Sequence, residues 1–157
     1  KLINRFDYDG DFGTVLNRFV IQAALNYPLT VYGSGGQKRA FININNTVDC
    51  ISLALNNPPQ KNEKVKIFNQ MTECFRVIDL AKMISSETGV PIDLIPNPRN
   101  EAGENEFDAE NIGLTNLGLK KYLLSDILID EILMISRKYL DRIDRSKIPC
   151  TSLWVKE

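Results

Sequence analysis

The sequence predicts an α/β fold, and three features carry that prediction. Amphipathic spacing of apolar residues recurs along the chain, short alternating runs fall between those stretches, and glycine or proline marks nearly every junction. The predicted order is helix, hairpin, helix, strand, helix, strand, helix. No internal repeat, low-complexity linker or division into independent domains is visible.

The first helix is read from "GTVLNRFVIQAALN", residues 13 to 26. Val15, Leu16, Phe19, Val20, Ala23 and Ala24 lie on one face, Gly13-Thr14 offers a start, and Asn26-Tyr27-Pro28 forces an end. "LTVYG" and "RAFININ" alternate around Gly33 to Gly36 and predict two strands joined by a turn. "NTVDCISLALNN" predicts a helix with Asn46 or Thr47 as its cap, stopped by Pro58-Pro59. "PPQKNEK" is a polar loop, and "VKIFNQ" is a short run rich in strand formers. "FRVIDLAKMISSETG" places Val77, Leu80, Ala81 and Ile84 on one helical face, with Gly89 at the end. "VPIDLIPNP" alternates and ends on prolines, as an edge strand does. "RNEAGENEFDAENIG" is acidic and poor in breakers, which predicts some helix. The longest predicted helix is 122 to 144. Ser125 or Asp126 lies near its start, and its stripe is Ile127, Leu128, Ile132, Ile135 and Leu140.

Composition narrows the function classes. The 157 residues are 43% hydrophobic and 25% charged, the balance of a globular protein with a core. A formal charge of -1 gives no basic field for nucleic acid, and no polybasic run or long apolar segment suggests a membrane partner or span. "KLINRFDYDGDF" lacks the apolar core of a signal peptide and has no initiator Met, so the chain is expected to begin inside a longer protein. Cys50, Cys74 and Cys150 are odd in number and far apart, which predicts reduced thiols rather than disulfides or zinc. There is no His, so neither a Ser–His–Asp nor a Cys–His system can be assembled from this chain.

"VYGSGGQKRAFININN", residues 31 to 46, combines glycines with Lys38 and Arg39. A phosphate site and a plain hairpin turn would both read this way. A dinucleotide site is excluded locally, because no G-x-G-x-x-G follows a strand and the glycines lead into a strand instead of opening a helix. Asp7, Asp9 and Asp11 have the spacing of a calcium loop, but its required Gly and Glu are misplaced, so no metal is expected.

Several motifs taken together are more specific. "RFDYDG-FGT-LNRF", "PLTVYG-GGQ-R", "FNQ-TE-F", "PNPR-EA" and "YLLSD-L" closely resemble the C-terminal half of the UDP-sulfoquinovose synthase family. These are extended short-chain dehydrogenase/reductases of Rossmann type, related to UDP-galactose epimerases. The resemblance runs from Lys1 to Trp154. It implies that residues 1 to 157 are the substrate-binding portion, and that an N-terminal Rossmann portion carries NAD and a Tyr-x-x-x-Lys pair. None of Tyr8, Tyr27, Tyr32, Tyr122 and Tyr139 has a Lys four residues on, so no catalytic residue is expected in this chain.

The same resemblance implies roles residue by residue. Arg39 would hold the diphosphate of a UDP-sugar, with Arg99 as a second clamp stiffened by Pro96 and Pro98; a guanidinium suits two phosphate oxygens at once. Glu101 would pair with Arg99 or accept from the ribose, and Gln37 would reach ribose or phosphate. Tyr32 would pack on uracil, and backbone amides near Leu16 and Asn17 would meet the uracil carbonyls. Relatives place Asp after the arginine; here Ala40 follows. The acidic loop at 7 to 11, with Arg5 as counter-charge, would border a sugar and sulfite pocket.

The implied activity of the complete protein is conversion of UDP-glucose and sulfite to UDP-sulfoquinovose with bound NAD, the chain alone being inactive. Alternatives are a UDP-hexose 4-epimerase or dehydratase, and a non-catalytic nucleotide-sugar module. The implied partners are the N-terminal half and a second copy in a homo-oligomer, with no nucleic acid. The implied compartment is the cytoplasm, or the plastid stroma in a photosynthetic eukaryote.

Overall fold

A computed structural model of the chain describes Tyr8, residues 13–97, Asn105, Phe107 and residues 109–148. The readings made at Arg5, Asp7, Asp9, Asp11, Arg99, Glu101, Cys150 and Trp154 lie outside the described residues.

The chain starts with α1 (Val15–Ala24), capped by the Thr14 side chain, which accepts from the Asn17 amide. All six apolar residues expected on one face pack inward, Val15 only partly. Arg18, Ile21 and Gln22 are buried as well, so α1 is enclosed on nearly every side. It runs through a left-handed Asn26 into β1 (Leu29–Tyr32). β1 pairs in parallel with β4 (Ile92–Ile95), Leu29 opposite Ile92 and Tyr32 opposite Ile95. Between them in sequence, β2 (Lys38–Phe41) pairs antiparallel with β3 (Glu73–Arg76), Arg39 opposite Phe75.

The expected hairpin is therefore not formed: the two runs flanking the glycines belong to different sheets. The cause is local. Gly33 and Gly35 both have positive φ, and a Cβ on Gly35 would stand 2.6 Å from Val31 Cγ1 and 2.9 Å from Ile78 Cβ. Only glycine permits that approach, and it carries the chain across the side-chain face of β1 instead of back along its edge. The loop then meets the start of α3 (Val77–Thr88). Its carbonyls at Gly35 and Gln37 accept the Ile78 and Val77 amides, at 2.9 and 3.0 Å.

α3 presents Val77, Leu80, Ala81 and Ile84 to the core as its periodicity predicts, and ends at left-handed Gly89. With α1, β1 and α5 (Ile129–Lys138) it forms the main core, which contains Phe19, Val20, Leu29 and Val31 at 0% exposure. A smaller cluster joins Cys50, Leu114 and Leu119 to Phe68, linking α2 (Ile44–Asn56) to α4 (Ile112–Asn116).

Three further expectations are corrected. α2 starts earlier than expected, because Asn43 is the cap and accepts from the Asn45 amide. Asn46 instead lies buried and ties the helix to the far segment: its amide donates to Lys120 O and its oxygen accepts from Tyr122 N. "VKIFNQ" forms no ladder with any described strand, and Val65 and Ile67 are 69% and 84% exposed. A strand needs a partner edge, and none of the described elements supplies one.

The long C-terminal helix is broken up. A π-turn at Leu124–Leu128 precedes α5, and two short 3-10 turns come after it. The extra residue in the π-turn rotates α5 relative to a continuous helix, so Leu124, Ile129, Leu133 and Ser136 face inward while Leu140 is 37% exposed. Ile135 is half-buried, and the side chains of Ile127, Leu128 and Ile132 are outside the described residues. Among the described residues, the acidic stretch read as partly helical reaches a helix at Ile112, where α4 begins.

Candidate functional site

Four elements meet around a cleft of ≈ 290 Å³. The approach to α1 contributes Gly13, Thr14, Val15 and Arg18. The end of β1 contributes Tyr32, β2 and its lead contribute Gln37, Arg39 and Ala40, and α3 contributes Val77. The glycine crossover positions them, since it swings Gln37 and Arg39 away from the edge of β1 and sets them facing α1.

Arg18 is held deep in this wall. It is 6% exposed, its Nη2 donates to Thr30 O at 3.0 Å, and its guanidinium carbon lies 4.2 Å from the centre of the Tyr32 ring. Thr30 is fixed in turn by Gln22, whose amide donates to Thr30 Oγ1 at 2.7 Å and whose oxygen accepts from Thr30 N at 3.1 Å. A guanidinium over an aromatic face is attracted by the ring's quadrupole, more strongly when both are out of water. Arg39 is half-buried, with Nη1 donating to Lys38 O at 3.0 Å. Gln37 is 5% exposed. The cleft thus brings two guanidinium groups, one aromatic ring and one amide side chain together.

Three of the residues singled out in the sequence, Tyr32, Gln37 and Arg39, converge here. Leu16 and Asn17 do not line the cleft. The Leu16 side chain is in the core, and the Asn17 amide is taken at 3.5 Å by the Thr14 hydroxyl that caps α1. The residue missed from sequence is Arg18. Arg18 and Gln22 stand four apart, a spacing that stacks them on one helical face, but nothing in the sequence marks that face as buried. Ala40 also lines the cleft, so the position where Asp was expected by resemblance is an uncharged part of its wall.

The glycine turn is tied to the start of α3. That turn presents carbonyl oxygens to the first amides of α3, which leaves neither group facing an anion. No cluster of three or more metal-ligating side chains occurs among the described residues. None of the described helices is long and apolar enough to cross a membrane. Away from the cleft, Glu73 accepts from the Leu124 amide at 2.6 Å and caps the π-turn. Burial pushes its carboxyl above the ordinary range, opposed by that amide and reinforced by Asp126. Burial likewise raises the Cys50 thiol, which keeps it protonated.

Comparison with known proteins agrees with this architecture. Residues 3–69 match the NAD dependent epimerase/dehydratase family. A solved UDP-N-acetylglucosamine 4-epimerase from Methanobrevibacter ruminantium, in complex with UDP-N-acetylmuramic acid, shares the fold. Its TM-score is 0.64 at 14% identity, over 90% of this chain and 44% of that one. Over residues 3–69 the chain is similar to that family, and its fold is a Rossmann-type α/β fold.

The chain is also similar to proteins named UDP-sulfoquinovose synthase. The chloroplastic protein of Spinacia oleracea is 46% identical over 99% of this chain, and that of Sulfolobus acidocaldarius 37% identical over 93%. The chain spans 33% and 38% of the lengths of those relatives.

Proposed function

We propose that this chain is the C-terminal, UDP-sugar-binding portion of a UDP-sulfoquinovose synthase. The observation that carries the reading is the convergence of Arg18, Tyr32, Gln37 and Arg39 on one cleft. In this reading Arg39, joined by Arg99, holds the diphosphate, where a planar fork can bind two oxygens at once. Tyr32 offers a flat surface to uracil, and Gln37 and Glu101 serve the ribose. Backbone amides near Leu16 and Asn17 would reach the uracil carbonyls only after the Thr14 cap is displaced from the Asn17 amide.

The complete protein would convert UDP-glucose and sulfite to UDP-sulfoquinovose with NAD. In this reading NAD and the catalytic Tyr and Lys belong to an N-terminal Rossmann portion, and the glycine turn of this chain, whose carbonyls accept the first amides of α3, supports it. Supporting that division, α2 leaves Val48, Ile51 and Leu55 exposed at a spacing of one helical face, and Val65 and Ile67 stand exposed on an unladdered run. Apolar surface of this kind suits a sheet supplied by the other portion. What this chain contributes is binding energy that holds the sugar in register with chemistry performed elsewhere. The complete protein would work as a homo-oligomer in the cytoplasm, or in the plastid stroma; the spinach relative is named chloroplastic.

An assay of the chain and of the full-length protein with UDP-glucose, NAD and sulfite tests this. Turnover is expected only from the full-length protein and only with sulfite. UDP-galactose formed without sulfite would point to the epimerase alternative, and turnover by the chain alone would refute the division of labour.

A further inference from the structure

Arg18 is the member of the cleft that helical periodicity alone does not single out, and its setting is unusual for a charged residue. It is 6% exposed within a helix packed into the main core, whereas buried arginines are rare unless their head group is engaged. Here the engagement is directional. One nitrogen donates to Thr30 O, the Gln22–Thr30 pair locks that carbonyl in place, and the guanidinium faces the Tyr32 ring at 4.2 Å.

Resting on the UDP reading above, we infer that Arg18 is a positioning residue for nucleobase recognition and acts through Tyr32. A ring has two faces, and the guanidinium covers one of them. The ring cannot leave its rotamer without giving up the cation. The chain of contacts Gln22, Thr30, Arg18, Tyr32 thus fixes the stacking plane before ligand arrives, which lowers the ordering cost of binding. Arg39 serves the diphosphate, and Arg18 serves the base.

Affinities of the full-length protein for UDP and for inorganic pyrophosphate separate the two roles. Arg18→Lys keeps the charge but loses the planar surface. It is expected to weaken UDP binding by roughly three- to tenfold, and Tyr32→Leu by about tenfold, in line with the worth of one stacked base. The double variant is expected to bind UDP no worse than Tyr32→Leu alone, because both changes remove one arrangement. Pyrophosphate affinity is expected to stay unchanged throughout.

Additive losses in the double variant, or a loss of pyrophosphate affinity in Arg18→Lys, would overturn the inference. Should Arg18→Lys fail to fold, Arg18→Gln retains a donor toward Thr30 and answers the same question. The wild type gives an independent readout by NMR: uridine should shift the Tyr32 ring protons and pyrophosphate should not, and the reverse pattern contradicts the proposal. A wild type that binds pyrophosphate and UDP equally well refutes this inference alone, while one that binds neither refutes the UDP reading with it.

Discussion

Two regions of the molecule treat their apolar residues in opposite ways. Around β1, the residues Phe19, Val20, Leu29, Leu80 and Ile84 are all at 0% exposure, enclosed by α1, α3 and α5. Along α2 and the run after it, Leu55 is 75% exposed, Val65 69% and Ile67 84%. The first region closes on itself and carries the cleft. The second buries only one side, through Cys50 and Phe68, and leaves the other bare. Burying apolar surface is the main favourable term in folding, so the uncovered face supports the proposed docking of a further portion there. In the proposed reading the first region grips the ligand and the second is completed by a further portion.

The comparison breaks most sharply under paired truncations. Leu80→Ala in the closed region is expected to cost about 2–5 kcal/mol of stability, as large cavities in packed cores do. Leu55→Ala on the bare face is expected to change stability by no more than about 0.5 kcal/mol in the isolated chain. Denaturant titration of both variants checks this. Similar losses at the two positions would mean that α2 is covered within the chain.

A smaller effect sharpens the boundary between the regions, where Glu73 caps the π-turn. Its carboxyl is raised above the ordinary 4.5, mainly by burial. A raised folded value favours the protonated form, so Glu73 supports the fold below the carboxylate range, and that support fades as pH rises through the folded value. Glu73→Gln keeps an acceptor for the Leu124 amide and removes the titration. The variant is expected to gain on the wild type as pH rises from about 4 to 7, by no more than about 2 °C in Tm. Melting curves across that range, with the difference growing toward acid instead, would contradict the sign.

Sequence reasoning reached far where the physics is local. α1 and α3 follow apolar periodicity closely, and left-handed Gly89 ends α3 where a helix-stop glycine was expected. Tyr32, Gln37 and Arg39 were legible as a group because they lie within eight residues of one another. The strand pairing was not legible. Two alternating runs beside a glycine turn fit a hairpin, and only the close approach of Gly35 to Val31 and Ile78 sends them to separate sheets. Arg18 was obscured for a related reason. On a helical wheel it reads as the solvated side of an amphipathic helix, and it becomes buried only when α5 and β1 close over α1. The strand expected at "VKIFNQ" has the right composition and lacks a partner edge among the described elements. Local preference names the candidates for a strand; tertiary pairing decides which of them become one.

The central claim is that this cleft holds the diphosphate of a UDP-sugar and that Arg39 carries much of that hold. Calorimetric titration of UDP against the full-length protein and its Arg39→Ala variant tests it most directly. The account predicts saturable binding by the wild type and a loss of about 1.5–3 kcal/mol in the variant, roughly ten- to 150-fold, with the melting temperature unchanged. An Arg39→Ala protein that melts normally and binds UDP as tightly as the wild type would contradict it.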